Sequence, residues 1–488
     1  MQNFSVPKEV LTVSETLENA GYEAYLVGGC VRDLVLDKKP KDWDITTNAT
    51  PEAIQSLFSE TFYENTYGTV GVVQETEDAS LKVIEVTPYR KEGTYTDARR
   101  PDTVEFGVSL SEDLKRRDFT MNAIAFRPKT GEFVDEHDGQ QDIKKRLIRA
   151  VGDPMVRFNE DALRMMRGVR LSAELGFAIE QETAEAILKN AEQLGKISKE
   201  RIRDEFVRIL ETKEPMQAIF VAQKLGILRF IAPDLERGIG VEQNQAHKFD
   251  VFEHLLRTMQ HAADKDWETA IRLAGLFHDV SKPETRRWSD EKKDWTFHGH
   301  EVVGARVTKK ALQDLKFSNE IIDRVVRLVR WHMFFSDPEK ISLSAVRRMI
   351  VNVGEENIWD LLNLRICDRI GTGRPKEQPF RFRKYKSMVD EALRDPISVG
   401  MLKVNGEGVM KILGEKGGPR VGWILHALLE EVLEDPEKNT QEYLEEKVRV
   451  LGKLEDQTLR EMGEEGKKAR EEAEEAEIAE IRSKHHVG

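Results

Sequence analysis

Two acidic side chains near the N-terminus, Asp42 and Asp44, are separated by one residue in the segment Asp42-Trp43-Asp44-Ile45. The segment alternates polar and apolar residues, which predicts a β-strand in which residues i and i+2 point to the same face. Two carboxylates held side by side repel each other unless a positive charge lies between them. A hard divalent cation prefers such oxygen ligands. The pair is therefore a candidate metal site.

A glycine pair upstream suggests what this metal would act on. Gly28 and Gly29 follow the apolar run Tyr25-Leu26-Val27, which predicts a strand, and precede a helical segment that carries Arg32. Glycines at a helix start allow backbone N–H groups to approach an anion closely. Carboxylates that bind metal beside a turn that binds phosphate indicate phosphoryl or nucleotidyl transfer. Taken singly, each pair is more typical of an ordinary turn or strand edge.

The stretch from Tyr25 to Thr47 resembles the signature of the class II nucleotidyltransferases, which comprise CCA-adding tRNA nucleotidyltransferases and bacterial poly(A) polymerases. Three later segments resemble family motifs in the expected order: RRDFTMNA (116–123) its ribose and triphosphate motif, residues 135–142 its hinge, and EDALRMMRGVR (160–170) its base-reading motif. The resemblance implies an α+β fold. A polymerase-beta-like head with a small mixed sheet is followed by an all-helical neck, HD body and tail.

The resemblance also implies roles in the head. Asp42 and Asp44 would hold two Mg²⁺ ions, and Glu85 would be a third acidic group, with a solvent-facing strand glutamate as the alternative. A helix is predicted from Ser111 onward, with Arg117, Asp118 and Asn122 on nearby faces. Arg117 can pair bidentately with phosphate, and Asp118 and Asn122 would hold the ribose hydroxyls. Gly28, Gly29 and Arg32 would also bind the nucleotide. A surface basic helix is the alternative.

The segment from Glu160 to Arg170 is predicted to be one helix. Asp161, Arg164, Arg167 and Arg170 recur every three residues, so they would lie along one ridge. By the resemblance, Asp161 accepts from cytosine N4 or adenine N6 and Arg164 donates to the base's acceptors. Arg167 and Arg170 would serve phosphates. An exposed ridge of salt bridges is the alternative.

Histidines and aspartates in the second half suggest another metal site, because this ligand set suits a transition metal. By resemblance to the HD superfamily, Lys282 would lie beside a bound phosphate. The pattern resembles the HD superfamily of metal-dependent phosphohydrolases, with scattered histidines as the alternative. The matching ligands are His254, His278, Asp279 and Asp368, with His300 and His332 completing a two-metal version.

The predicted domains are a catalytic head (1–150), a neck with the base-reading motif (151–235), an HD domain (236–372), a helical tail that binds tRNA (373–450) and an acidic exposed helix or disordered tail (451–488). Residues 371–387 interleave basic and aromatic side chains, which suits RNA backbone contacts and base stacking, or else a solvated linker. Gly417, Gly418 and Arg420 are candidates for an RNA phosphate. Residues 91–103 predict a polar loop, which in CCA-adding relatives helps the switch from C to A.

Composition constrains the setting of the chain. Its 488 residues are 39% hydrophobic and 33% charged, typical of a soluble protein of about three domains. No apolar run approaches a membrane span, and two distant cysteines fit the reducing cytoplasm. The net charge is −13, but residues 430–488 carry 19 acidic and 10 basic side chains. The rest is nearly neutral, so the acidity does not exclude RNA.

Together these features predict a template-independent tRNA nucleotidyltransferase that adds or repairs the 3′-CCA end with CTP and ATP. The alternatives are a poly(A) polymerase, an enzyme that adds only A or CC, and an HD phosphohydrolase whose head binds RNA. The sequence leaves the metal and substrate of the HD domain open, and likewise the oligomeric state.

Overall fold

The computed structural model describes residues 4–63, 68–93, 104–245, 247–334, 339–395, 397–460 and 462. The chain divides into two compact units, one formed by residues 1–236 with 314–316 and the other by residues 237–313 and 317–488. Within the described ranges, no helix combines the length and apolar character that a membrane span requires. Most of the predicted polar loop (94–103) and most of the acidic tail (461 and 463–488) lie outside the described residues.

The strands of the first unit include a seven-stranded mixed sheet, which confirms the predicted α+β head. The strands are β1 (Ala24–Val27), β2 (Asp44–Thr47), β3 (Thr61–Tyr63), β4 (Val70–Val73), β5 (Val83–Pro88), β6 (Arg90–Glu92), β7 (Val104–Phe106), β8 (Ala125–Arg127), β9 (Glu132–Val134), β10 (Leu147–Ile148) and β11 (Ala178–Ile179). The sheet order is β3-β4-β5-β2-β1-β8-β9. Only the pair β2–β5 of this sheet is parallel within the described residues.

The helices of the first unit are interspersed among the strands as far as β11, and only helices follow β11 in this unit. They are α1 (Lys8–Asn19), α2 (Gly29–Val35), α3 (Pro51–Leu57), α4 (Leu110–Lys115), α5 (Gly139–Lys145), α6 (Pro154–Glu160), α7 (Leu163–Leu175), α8 (Gln181–Asn190), α9 (Lys199–Leu210), α10 (Pro215–Lys224), α11 (Leu228–Ile231) and α12 (Pro233–Glu236). Helix α9 buries Ile202, Phe206 and Ile209. These residues recur on one helical face, as the sequence predicted.

Strand β2 begins at Asp44, so Asp42 lies just before the strand rather than within it. Trp43 is buried, whereas Asp42 is exposed and Asp44 is half-buried. The alternation that the sequence showed therefore continues for two residues beyond the hydrogen-bonded strand, and both carboxylates stay on the side opposite Trp43.

The segment RRDFTMNA is not the predicted continuous helix. Helix α4 ends at Lys115, and a short 3₁₀ turn over Thr120–Asn122 follows only after an extended Phe119. The helix also starts earlier than predicted, because Ser109 forms a capping box with Glu112. Consequently Arg117, Asp118 and Asn122 meet through a turn rather than through helical spacing.

The base-reading segment is likewise broken rather than a single helix. Helix α6 ends at Glu160, Asp161 adopts an extended conformation (φ −139°, ψ 105°), and α7 begins at Leu163. The Asp161 carboxylate accepts the Leu163 N–H at 3.1 Å. A short acidic side chain that bonds to nearby backbone competes with the helix, which explains the break. The predicted ridge beginning at Asp161 is therefore wrong.

The second unit is mostly helical. Its elements are α13 (Val251–Asp264), α14 (Thr269–Phe277), α15 (Lys282–Thr285), β12 (Arg287–Ser289), β13 (Asp294–Thr296), α16 (His300–Asp314), α17 (Asn319–Trp331), α18 (Leu343–Val353), α19 (Ile358–Gly371), α20 (Phe380–Ala392), α21 (Gly406–Leu413), α22 (Pro419–Glu434) and α23 (Gln441–Leu451). Helix α14 is buried along its whole length from Ala270 to Phe277, which fits the predicted buried helix that delivers His278 and Asp279.

Two details of the basic segment differ from the prediction. Phe382 and Tyr385 are buried in the core from helix α20, so they are not available for base stacking, although Phe380 is 69% exposed. Arg420 donates to the carbonyls of Gly452 and Leu454 at 2.8 and 2.9 Å. Its guanidinium is thus bound within the chain rather than presented to a phosphate.

Candidate active site and metal centre

The two aspartates of the head face the glycine turn. A Cβ atom placed on Gly28 would lie 3.3 Å from Asp44 Oδ2, and one on Gly29 would lie 3.9 Å from Asp42 Oδ1. Both carboxylates therefore lie on the same side as the N-terminus of helix α2, where Gly28 holds φ +81°. Two acidic groups directed at the same glycine turn are the arrangement expected of a site for a divalent cation.

Glu85 lies beside this pair because of the strand register. Strands β2 and β5 are parallel, with Asp44 opposite Glu85, and the Glu85 N–H donates to the Trp43 carbonyl at 3.1 Å. Residues opposite each other on adjacent strands project to the same face of a sheet. The sequence had left open whether Glu85 faces the site, and the register places it beside Asp44.

Four of the predicted nucleotide-binding residues form one connected network. Arg32 Nη1 donates to Asn122 Oδ1 at 3.1 Å, and Asn122 Nδ2 donates to Asp118 Oδ1 at 3.2 Å. Arg167 Nη2 lies 2.8 Å from Asp118 Oδ2. Burial alone would raise the pKa of Asp118, but Arg167 and Arg164 outweigh burial and lower this pKa. Asp118 is therefore a buried anion held between Asn122 of the 3₁₀ turn and Arg167 of α7.

Arg117 lies beside the glycine turn. Its Nη1 atom would be 3.5 Å from a Cβ on Gly28. The Arg117 guanidinium and the Asp44 carboxylate thus both lie next to the backbone of Gly28. An arginine at this position can pair with phosphate oxygens next to the metal site.

The predicted base-reading pair, Asp161 and Arg164, has partners that the sequence did not reveal. Asp161 Oδ2 accepts from Arg201 Nη2 of helix α9 at 2.8 Å. Arg164 Nη1 donates to Glu160 at 2.7 Å, and its Nη2 donates to the Arg116 carbonyl at 3.0 Å. The sequence did not indicate Arg201, because it lies forty residues from Asp161 and the two side chains meet only in the folded chain.

Arg170 takes a different position from the other predicted arginines. Its Nε donates to Glu205 at 2.5 Å, and its Nη1 donates to both carboxylate oxygens of Glu174 at 2.9 Å. Two carboxylates thus neutralise this guanidinium and tie α7 to α9. The structure supports a connecting role for Arg170, and its predicted phosphate contact stays a prediction.

The second unit brings together all six predicted HD ligands in its core. His254, His278, Asp279 and Asp368 form one cluster, in which His254 Nε2 lies 3.1 Å from Asp279 Oδ2 and 3.5 Å from Asp368 Oδ1. The other oxygen of Asp279 lies near His300 and His332, at 3.1 and 3.4 Å from their Nε2 atoms. Asp279 therefore belongs to both groups of candidate ligands.

The orientation of the imidazole rings indicates a cation between them. The Nδ1 atoms of His278, His300 and His332 lie 2.9, 2.6 and 2.7 Å from the carbonyls of Gly275, Phe297 and Val329. A ring whose Nδ1–H donates to a carbonyl presents a lone pair at Nε2, as metal-binding histidines do. His254 and His278 approach each other through Nε2 at 3.0 Å. Two facing lone pairs repel unless a proton or metal joins them, so the ligand set fits a divalent metal.

Charged groups around Asp279 keep it available as a ligand. Burial raises its pKa, but His278 and Lys282 outweigh burial and hold the pKa of Asp279 well below its usual range. Lys282 Nζ lies 2.6 Å from Asp279 Oδ2 and also donates to Gln243 at 2.7 Å. Gln243 was not among the predicted site residues, because a single glutamine in a polar segment does not by itself indicate a binding site.

Three family models match successive parts of the chain. The Poly A polymerase head domain matches residues 24–149, the probable RNA- and SrmB-binding site of polymerase A matches residues 176–239, and the HD domain matches residues 251–370. The first match contains the carboxylates and the glycine turn, and the third contains the buried cluster of histidines and aspartates.

Curated relatives cover almost the whole chain. The CCA-adding enzyme of Lactobacillus delbrueckii subsp. bulgaricus is 33% identical over 440 residues, which is 89% of this chain and 95% of the relative. The CCA-adding enzyme of Geobacillus thermodenitrificans is 32% identical over 446 residues, 89% and 95% of the two chains. A crystal structure of the Bacillus stearothermophilus CCA-adding enzyme in complex with CTP aligns with a TM-score of 0.63 and 28% identity, covering 91% of this chain and 98% of that chain.

Proposed function

Because this chain belongs to the class II nucleotidyltransferase family of CCA-adding enzymes, we propose that it adds or repairs the 3′-CCA end of tRNA with CTP and ATP as substrates. The observation that carries the proposal is the common orientation of Asp42 and Asp44 toward the Gly28-Gly29 turn, with Arg117 above it. Carboxylates, a backbone site for phosphate and an arginine then surround one small space.

Different groups in the head have different roles in nucleotidyl transfer. Asp42 and Asp44, with Glu85 beside them, would hold Mg²⁺, which when bound neutralises phosphate charge and activates a hydroxyl. The N–H groups at the start of helix α2 bind phosphate oxygen, because an N-terminus carries partial positive charge. Arg117 binds the outer phosphates. These groups orient the α-phosphate for attack by the 3′-hydroxyl of the RNA.

Base choice would depend on Asp161 and Arg164. The carboxylate accepts from the exocyclic amino group of cytosine or adenine, and the guanidinium donates to the ring acceptors of the base. Uracil offers a carbonyl where the carboxylate needs a donor, which leaves a buried acceptor unpaired and is costly. Asp161 can accept from a base while it keeps its bond to Arg201, because an ionised carboxylate has about four acceptor positions.

Nucleotide incorporation into a tRNA that ends before CCA tests the proposal. The full-length protein, incubated with Mg²⁺ and each nucleoside triphosphate separately and together, should add two C residues and then one A. The Asp44→Asn variant should lose this activity. A long adenosine tail would identify a poly(A) polymerase instead, and arrest after CC would identify a partial enzyme.

The second unit supports a second activity, hydrolysis of a phosphate ester at the HD centre. The supporting observation is the buried cluster in which His254, His278, Asp279 and Asp368 can share one metal while Asp279, His300 and His332 can share another. Full-length protein loaded with Mn²⁺, Ni²⁺ or Co²⁺ would be assayed with bis(p-nitrophenyl) phosphate and with cyclic nucleotides. Equal release by wild type and His278→Ala would refute hydrolysis at this centre.

We also propose a cytoplasmic setting for the chain. Cys30 and Cys367 are both free and buried thiols, which supports a reducing environment. Fractionation of the native host with detection of the endogenous chain would test it, and recovery with exported proteins would contradict it.

A further inference from the structure

Asp113 is a fully buried carboxylate of helix α4, behind the residues proposed to bind the nucleotide. Its Oδ1 accepts from Arg116 Nε and Nη2 at 2.9 and 2.7 Å. Its Oδ2 accepts from Arg117 Nη2 at 3.0 Å and from Thr46 Oγ1 at 3.3 Å. One carboxylate thus binds two consecutive arginines and a residue of strand β2.

The negative charge of Asp113 strengthens its hydrogen bonds to Arg116 and Arg117. Burial raises the pKa of an aspartate, but the guanidiniums of Arg117 and Arg116 outweigh burial and lower the pKa of Asp113. The ionised carboxylate therefore balances two positive charges away from solvent. Charge-assisted hydrogen bonds of this kind are shorter and stronger than neutral ones, so they fix the geometry of the arginines.

The bond to Thr46 ties the arginines to the metal-binding strand. Thr46 lies two residues after Asp44 on strand β2, and its hydroxyl lies 3.2 Å from the Thr87 carbonyl of the adjacent strand. Arg117 and Asp44 both flank Gly28, at 3.5 and 3.3 Å from where its Cβ would be. Asp113 therefore connects Arg117 with the strand that carries Asp44.

The bonds to Arg116 extend the same network to the base-reading residues. The Arg116 carbonyl accepts from Arg164 Nη2 at 3.0 Å, and the preceding Lys115 carbonyl accepts from Arg157 Nη1 at 3.0 Å. Arg157 and Arg164 in turn share the carboxylate of Glu160, at 2.5 and 2.7 Å. The end of helix α4, which Asp113 holds in place through Arg116, is thus the surface against which Arg164 is oriented.

We propose that Asp113 is a positioning residue that aligns Arg117 for the triphosphate and Arg164 for the base, so that it determines both nucleotide affinity and base selectivity. This inference rests on the proposed nucleotidyltransferase function. Asp113 would thus couple phosphate binding by Arg117 to base recognition by Arg164, although these two arginines belong to different segments of the chain.

The main test compares full-length wild type with Asp113→Asn. The amide keeps the size of the side chain but removes the charge that orients both arginines. We expect the KM for CTP to rise and kcat/KM to fall by roughly tenfold to a hundredfold, as for other displacements of groups that position a substrate. Inhibition by inorganic tripolyphosphate, which has no base, should weaken in parallel. Discrimination between CTP and UTP should fall by roughly tenfold.

Two further variants separate positioning from stability. Glu112→Gln changes the same charge on the same helix but touches neither arginine, and glutamine can still accept the Ser109 N–H of the capping box. We expect its kinetics to match wild type. Thr46→Val keeps the ion pairs but removes the bond from Asp113 to strand β2, together with the contact of the Thr46 hydroxyl with the Thr87 carbonyl. Its KM for CTP should therefore rise by a smaller factor, roughly threefold to tenfold. Thr46→Val also serves if Asp113→Asn does not fold.

The outcomes distinguish this inference from the proposed function. Absence of CTP incorporation by wild type would refute the nucleotidyltransferase itself. An active wild type, with Asp113→Asn and Thr46→Val showing a lower melting temperature but unchanged KM, tripolyphosphate inhibition and base discrimination, would show that Asp113 is only a structural ion pair. A rise in KM without any loss of discrimination would overturn the coupling to Arg164.

Discussion

Replacing Gly28 with alanine tests the geometry of the head more directly than removing a carboxylate does. Gly28 precedes helix α2 with φ +81° and ψ −136°, a region that residues with a side chain rarely adopt. Its missing side chain leaves room for Asp44 Oδ2 and Arg117 Nη1, which lie 3.3 and 3.5 Å from the ideal Cβ position. The substitution therefore imposes backbone strain and crowds two functional groups.

The size of each effect follows from these values. Backbone strain at such a position costs about 1–3 kcal/mol of stability. A contact of 3.3 Å is tighter than an ordinary van der Waals contact, so Asp44 must shift by a few tenths of an ångström. Since a displacement of about 1 Å can cost a hundredfold in rate, we expect kcat/KM for CTP to fall by roughly tenfold.

Gly21→Ala is the matched control, because Gly21 also has positive φ, +89°, but a Cβ there would meet no atom within 4 Å. Both variants should lose stability in urea denaturation. Only Gly28→Ala should lose CTP incorporation into tRNA lacking CCA, measured on protein shown to be folded by circular dichroism. If folded Gly28→Ala keeps the kcat/KM of Gly21→Ala, the close approach of Asp44 and Arg117 to this turn has no catalytic importance.

Other predictions concern base choice, the HD centre, the buried thiols and acid stability. Asp161→Asn, whose amide can donate to uracil O4, should raise UTP incorporation relative to CTP by roughly tenfold; an unchanged ratio would remove Asp161 from base reading. Asp279→Asn should lose the metal of the second unit by elemental analysis while CCA addition persists, and retained metal would contradict the ligand assignment. Burial raises the pKa of Cys30 to about 12 and raises that of Cys367, so neither thiol should react with iodoacetamide at pH 8 until the chain is unfolded. Folding lowers the pKa of Asp113, so this carboxylate stabilises the folded chain fully above its unfolded pKa of about 4, and the stabilisation is lost as the pH falls through the folded pKa. The free energy of unfolding measured in urea should therefore decrease less on acidification for Asp113→Asn than for wild type.

Local sequence patterns predicted much of the fold. Alternation around Trp43 placed Asp42 and Asp44 on one side, and the apolar period of Ile202, Phe206 and Ile209 identified the buried face of a helix. Such patterns are reliable because they report burial, which repeats with the period of the element. They failed where a side chain competes with the backbone, as at Asp161, whose carboxylate interrupts the helix at the base-reading motif.

The aromatic residues of the basic segment show another limit. Phe382 and Tyr385 alternate with arginines and lysines in sequence, which suggests a surface for RNA, yet both are buried in the core of the second unit. On a helix, residues three apart share a face, so the same spacing presents the cations to solvent and the two rings to the interior. Only the neighbouring helices decide which of the two faces is covered.

The sequence by itself determined which chemical groups this protein has: paired carboxylates after a glycine turn, an acid and arginines in the base-reading motif, and histidines with aspartates in the second half. Tertiary structure decided which of these groups meet. The register of strands β2 and β5 brings Glu85 beside Asp44, the packing of α9 brings Arg201 to Asp161, and the fold of the head brings Asp113 to Thr46. The physical reason is that these contacts join residues far apart in the chain, and no local period carries information about a distant partner.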